Sequence, residues 1–254
     1  MRRLSPLLAL SLLCGAACSS TDDPPETATS FCDRWAEAAC NREVVSTCQA
    51  ASEDDCLESQ AAFCIAQLPS GDFSGARADQ CIDAVRDAYA DSDITADEIN
   101  TVLRFGAPCD QLVRGPRAEG ESCTDRQECD APEGFECVIK GLATSGTCEQ
   151  PVIIGPGEDC SESNAICTNG FYCNGDNCIA GERIGDDCTS HVQCGGAGYC
   201  GLTSRCEARL PINANCGFDE QCDSGICYTF SATDRVCVDR VRLSRNEPLC
   251  QELR

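Results

Sequence analysis

The chain has 254 residues, of which 26 are cysteine against one histidine, one tryptophan and one methionine, and its formal charge is −23. The hydrophobic share of 42% counts those cysteines; without them it falls to about 32%, too low for one continuous apolar core, so small cross-linked units are expected. Like-charge repulsion excludes nucleic acid as a partner and argues against direct binding to anionic lipid headgroups.

Residues 1–17 read as an export signal. Arg2 and Arg3 form the charged start, 4–13 an apolar stretch too short to span a bilayer, and Gly15-Ala16-Ala17 the small residues before cleavage. A short apolar run ending in small residues directly before Cys18 resembles the lipobox of bacterial lipoproteins, with Gly15 where that family usually carries leucine. The resemblance implies that Cys18 is acylated and becomes the new N-terminus, and Ser19 resembles the pattern of lipoproteins sent to the outer membrane. The alternative is ordinary cleavage after Ala17, which releases a secreted protein; Cys14 follows bulky Leu13 and suits acylation less well. Residues 18–30 carry two prolines and no apolar period, as a solvated tether would. Two or three acyl chains would hold the protein firmly, where one gives marginal binding.

Residues 31–109 are expected to form a helical domain clamped by disulfides. Cys32, Cys40, Cys48, Cys56 and Cys64 recur every eight residues, so within one helix such cysteines share a face; Cys81 and Cys109 follow. Helices are predicted over 31–41 with Ser30 as N-cap, over 52–67 behind Ser52-Glu53-Asp54-Asp55, and over about 76–89. A fourth begins at the Thr95 to Glu98 capping box and ends near Gly106 and Pro108. Residues 110–119 read as a linker.

Beyond residue 120 a repeat takes over. Gly120-Glu-Ser-Cys123 is followed by Cys129, Gly134-Phe-Glu-Cys137 and Cys148; Gly157-Glu-Asp-Cys160 by Cys167, Gly170-Phe-Tyr-Cys173 and Cys178. Gly185-Asp-Asp-Cys188 is followed by Cys194, Gly198-Tyr-Cys200 and Cys206; a copy with a degenerate head, Asn213-Ala-Asn-Cys216, continues through Cys222 and Gly225-Ile-Cys227 to Cys237. The first cysteines lie 37, 28 and 28 residues apart, which predicts four short β/loop cysteine-rich modules over 120–150, 151–182, 183–209 and 210–240, then a tail over 241–254. Each module is too small for an apolar core of its own and calls for two disulfides. Four cysteines allow three connectivities, among which spacing does not choose; first to third with second to fourth is the one we favour. Phe135, Phe171, Tyr199 and Ile226, beside each third cysteine, are expected to cover the disulfides. Over about 120–240 the pattern resembles the Dickkopf N-terminal cysteine-rich domain as it is recognised in bacterial, notably myxobacterial, cysteine-rich lipoproteins.

Setting Cys18 aside for lipid leaves seven cysteines in the helical half, an odd number. Cys250 makes eight and is expected to pair with one of them, with a free thiol or an intermolecular bond as the alternatives.

No catalytic, metal or cofactor site is expected. The chain has no Cys-x-x-Cys, which removes the usual zinc and thioredoxin-type spacings. A calcium loop starting at Asp91 fails at Ala96 and Val102, where Gly and Glu are required, and Asp91, Asp93, Asp97 and Glu98 read as helix-start acids. The one histidine, His191, lies in a short loop without a nucleophile or a rigid wall. Lys140, the one lysine among 19 basic residues, reads as the mark of a GC-rich genome. The expectation is a small disulfide-rich protein, non-enzymatic and anchored to the membrane by lipid. Its modules would form an extended arm for adhesion, recognition or envelope scaffolding toward an unknown protein or envelope partner. The alternative is a protease inhibitor or antagonist presenting a rigid loop from 137–148 or 227–237.

Overall fold

The computed structural model describes residues 26–68, 71–140, 143–231 and 234–254. The export signal, Cys14 and Cys18 lie outside the described residues. Those described contain twelve disulfides, a helical N-terminal region and short-strand modules after it.

The first helix, α1 (Ala28–Ala39), begins before the expected position. Thr27, not Ser30, is the N-cap: Thr27 Oγ1 accepts from the Ser30 amide at 3.1 Å, and Ser30 Oγ accepts from the Thr27 amide at 2.9 Å. The pair satisfies two orphan donors at once. The expected tether therefore stops short of Thr27. The next helix, α2 (Arg42–Cys48), has no counterpart among the expected ones, because Val44-Val45-Ser46-Thr47 are weak helix formers. It forms because Asn41 Oδ1 caps the Glu43 and Val44 amides at 2.9 and 3.0 Å while Val44 and Cys48 are buried. In α3 (Glu53–Gln67) Ser52 caps the Asp55 amide ahead of an acidic first turn. Cysteines two turns apart on α1 meet cysteines two turns apart on antiparallel α3, as Cys32–Cys64 and Cys40–Cys56.

Strand β1 (Asp72–Phe73) precedes α4 (Ala78–Ala88), β2 (Asp93–Thr95) and α5 (Ala96–Arg104). The Thr95 and Glu98 capping box is present, with Glu98 Oε2 accepting from the Thr95 amide at 2.7 Å. Cys81 of α4 is bonded to Cys109. Phe105, ahead of the expected stop at Gly106, takes the left-handed position at φ 49°. Its ring stacks on Trp35 with centroids 4.5 Å apart and 3° between the planes, a contact that offsets the backbone strain.

Residues 110–119 are not a free linker. Leu112 is fully buried, and Val113 pairs with Phe73 where β3 (Val113–Arg114) runs antiparallel to β1. Onward, Gly115 and Arg117 donate backbone bonds to Cys129 and Glu128, and Arg114 holds Asp130 at 2.7 Å and Glu133 at 3.1 Å. The apolar pair Leu112-Val113 overrides the polar composition around it.

The strand modules share one pattern. A three-stranded sheet of β4 (Ser122–Cys123), β5 (Glu136–Val138) and β6 (Gly146–Glu149) comes first. A parallel pair follows, β7 (Val152–Ile154) with β8 (Ala165–Cys167), and then the hairpin β9 (Phe171–Cys173) with β10 (Cys178–Ala180). Two further hairpins join β11 (Gly198–Cys200) to β12 (Cys206–Ala208), and β13 (Cys227–Ser231) to β14 (Asp234–Cys237). Cys137 faces Cys148 across its hairpin, as Cys173 faces Cys178, Cys200 faces Cys206 and Cys227 faces Cys237. Each sends its bond away from the hairpin, to Cys123 and Cys129, Cys160 and Cys167, Cys188 and Cys194, and Cys216 and Cys222 respectively. The hairpin is thereby stitched to the loop that precedes it. At the head of the pattern Gly120, Gly157 and Gly185 have φ of 80°, 78° and 97°, and Asn213 keeps the same turn at 69°. Asparagine is among the few side chains that tolerate this region, so the altered head preserves the backbone.

Phe135 and Phe171 pack on their disulfides, as expected, but Tyr199 and Ile226 do not. Tyr199 meets Phe218 edge-on at 5.8 Å, and Ile226 joins Tyr228 and Val238 in the core of the helical region. The expected extended arm instead returns on itself. Strand β15 (Arg240–Arg242) pairs antiparallel with β2, setting Val241 opposite Ile94, and helix α6 (Pro248–Gln251) buries Leu249 and Cys250. Cys250 is bonded to Cys48, 202 residues earlier. Residues 241–254 are thus part of the helical core and not a tail, because Val241, Leu243, Leu249 and Leu253 are all buried in it.

Glu247 is 8% exposed beside this seam. Burial pushes its carboxyl above the ordinary range, and the Tyr228 hydroxyl opposes the shift only in part. A carboxyl raised by folding binds its proton more tightly in the folded chain, so stability falls as pH rises from about 4.3, the unfolded value, through the raised folded value. Glu247→Gln is therefore expected to raise the melting temperature at neutral pH and to gain less near pH 4. An equal gain at both pH values would count against a buried charge.

Candidate functional site

The cysteine clusters that come within metal-binding distance, such as Cys123 with Cys129 and Cys148, consist of sulfurs already joined in disulfides. A disulfide sulfur offers no thiolate to a metal. Asp91 Oδ1 accepts from the Asp93 amide at 2.8 Å, Asp93 pairs with Arg240 at 3.2 Å, and Glu98 caps α5, so these acids serve a turn, an ion pair and a cap. His191 is exposed; its Nδ1 accepts from the Cys200 amide at 3.1 Å, and its ring lies 5.4 Å from Phe218. That placement makes it part of the packing between adjacent strand modules.

Of the two loops singled out for protease inhibition, 137–148 carries Lys140, whose ammonium is turned inward onto the Cys160 carbonyl at 2.8 Å. The hairpin of β13 and β14 buries Tyr228 in the helical core. Phe230, 38% exposed, and Arg235, also exposed, project from this hairpin, so of the two loops it is the one that presents an aromatic and a basic side chain.

A concavity that combines polar groups with an aromatic wall lies where three modules of the cysteine array converge. It is a cleft of about 510 Å³, within the range of small-molecule sites. Lys140 comes from the loop between β5 and β6, Cys160 and Ser161 from the loop after β7, Tyr172 to Gly175 from β9 and its turn, and Ser190, Val192 and Gln193 from the loop before β11. No Asp or Glu lines it, although the chain has 42.

Local hydrogen bonds orient the lining. Gln193 Oε1 accepts from the Thr189 amide at 2.7 Å and the Ser190 amide at 3.1 Å, which commits its carbonyl end to its own loop. Asn174 Oδ1 accepts from the Asp176 and Asn177 amides at 3.1 and 3.0 Å, with the same result. Tyr172 donates to Glu182 at 3.0 Å, and burial together with that carboxylate raises its phenol, so it stays protonated at neutral pH. Asp159, just outside the cleft, is held below the usual carboxylate range by hydrogen bonds from Ser161, with a smaller contribution from the charge on Lys140. A second hollow of about 450 Å³, between the helical region and the first strand module, is lined by Arg104, Asp110 and Gln127 among others, and Arg104 is already engaged by Asp219.

Sequence reading missed the cleft. The one signal was Lys140, whose place in the longest inter-cysteine loop of its module said more than its rarity. Compared with protein-family models, with curated proteins and with solved structures, the chain matches none.

Proposed function

We propose that this is a non-enzymatic binding protein, held to the outer membrane by lipid on Cys18, in which four cysteine-rich modules and a helical domain present a binding cleft on the extracytoplasmic side. The carrying observation is the cleft itself: separate segments of the array build it, and donors line it in an otherwise acidic chain. Twelve disulfides mark an oxidising, extracytoplasmic setting. Among the described residues no helix is long and apolar enough to cross a membrane, which leaves attachment to the lipobox-like segment. Protease inhibition is the second reading: Lys140 of the 137–148 loop is bonded to the Cys160 carbonyl, while Phe230 and Arg235 of the 227–237 hairpin are exposed.

Palmitate labelling with membrane fractionation tests the anchor. The wild-type chain should take up label and sediment with outer membranes, whereas Cys18→Ala should take up none and remain soluble. Label retained by Cys18→Ala, or an unlabelled soluble wild type, would overturn it.

A further inference from the structure

Lys140 is the one basic residue on the wall of this cleft. Arg34, Arg104, Arg114 and Arg240 each hold a carboxylate, whereas the Lys140 ammonium donates to a carbonyl, that of Cys160 at 2.8 Å, as Arg209 and Arg254 do elsewhere. An ammonium has three N–H donors, and this bond uses one. Asp159 senses its charge but is held by Ser161. A cation satisfied in part by a carbonyl, on a cleft wall without carboxylates, is a site for an anion supplied from outside.

The surroundings narrow the anion. The chain's formal charge of −23 repels polyanions over the Debye range, which favours a ligand with a single negative group near Lys140. Gln193 and Asn174 line the same cleft with their carboxamide oxygens committed to backbone amides, so the NH2 end of each is the donor available to a ligand, and hydroxyl oxygens are its natural acceptors. Tyr172 adds an aromatic wall, suited to the C–H face of a saturated ring. We propose that the cleft binds a carboxylated sugar of the hexuronic acid class. Its carboxylate meets Lys140, its hydroxyls accept from Gln193 and Asn174, and its ring lies along Tyr172. This rests on the reading of the protein as a binding protein and supplies the ligand for that cleft.

The test is calorimetric titration of the purified mature chain, disulfides intact, with D-glucuronate, D-glucose and acetate. Glucuronate should bind at one site, with glucose and acetate each at least tenfold weaker. Lys140→Met should weaken glucuronate binding at least tenfold, and Lys140→Arg, which keeps the charge, should weaken it less. Unchanged near-ultraviolet circular dichroism in both variants shows that the fold is kept, and loss in Lys140→Met alone carries the result even if the arginine variant misfolds. The free sugar acid and the end unit of an acidic polysaccharide present the same group; repulsion of polyanions predicts that a trimeric oligouronate binds no tighter than glucuronate, which assigns the free acid as the source, and tighter binding of the trimer overturns that assignment. Absence of saturable glucuronate binding, equal binding of glucose or acetate, or full affinity in Lys140→Met overturns the proposal. Such a failure leaves the anchored-protein reading standing, and failure of palmitate labelling leaves this titration untouched.

Discussion

Replacing Cys48 and Cys250 together by serine is expected to lower stability by about 3–5 kcal/mol, a drop in melting temperature on the order of 10 °C. The bond joins residues 202 apart, the widest separation among the twelve; the others span 11 to 32. In the chain-entropy picture a loop of that length contributes about 5 kcal/mol by restricting the unfolded chain. The local cross-links shorten the effective loop, but the dependence is logarithmic, and halving it removes only about 0.6 kcal/mol. The double variant avoids a lone thiol that could reshuffle its neighbours. Limited proteolysis should then cut after Leu243, where Leu249 and Leu253 are no longer held in the helical core. The noncovalent seam remains, because Ala96 donates to the Asp239 carbonyl at 2.7 Å and Leu243 to that of Ser92 at 2.8 Å. Weakened closure, not global unfolding, is therefore the expected phenotype. A variant that melts and resists protease like the wild type would show that the seam alone closes the chain.

That closure also shows where sequence reading stops. Helix starts at Ser52 and Thr95 were legible because capping is local: a hydroxyl, an acid three residues on, and an apolar run behind them. The start at Thr27 was misplaced by the same logic, since Thr27 and Ser30 both qualify as caps and only their reciprocal bonds decide between them. Helix α2 was invisible because its propensity is poor and its stability comes from burial of Val44 and from Cys48. The parity of cysteines pointed Cys250 toward the helical half, but its partner depends on how α2 sits against α6, and no spacing records that. Leu112 and Val113 were hidden by a Pro- and charge-rich neighbourhood, and Val241 and Leu243 by the arginines that alternate with them. The cleft was the least legible of all. Its wall is assembled from four segments spread over more than fifty residues, and its chemistry depends on bonds that commit the carboxamide oxygens of Gln193 and Asn174 to their own loops.

Trp35→Ala is expected to cost about 3–5 kcal/mol, the range for a large aromatic removed from a packed core. The indole is fully buried, stacked on Phe105 and 6.3 Å from Phe31. Phe105 holds a left-handed backbone in place by that stacking, so the cavity also loosens the end of α5. A polar effect adds to the apolar one. Trp35 Nε1 donates to Gln60 Oε1 at 3.3 Å, and Gln60, 1% exposed, donates in turn to the Glu252 carbonyl at 2.6 Å. Without the indole a buried acceptor on Gln60 is left unmet, which by itself costs about 1–3 kcal/mol. Trp35→Phe separates the two effects. It keeps a ring for Phe105 to stack on and loses the N–H, so it should cost about 1–3 kcal/mol and loosen the hold of Gln60 on the C-terminal segment. Because Trp35 is the one tryptophan, the variants are followed by far-ultraviolet circular dichroism in denaturant with disulfides intact. The helical signal should lose stability while the hairpin disulfides stay closed. If Trp35→Ala unfolded at the wild-type midpoint, the α1–α3 disulfides, and not the stacked core, would be what holds the helical region together.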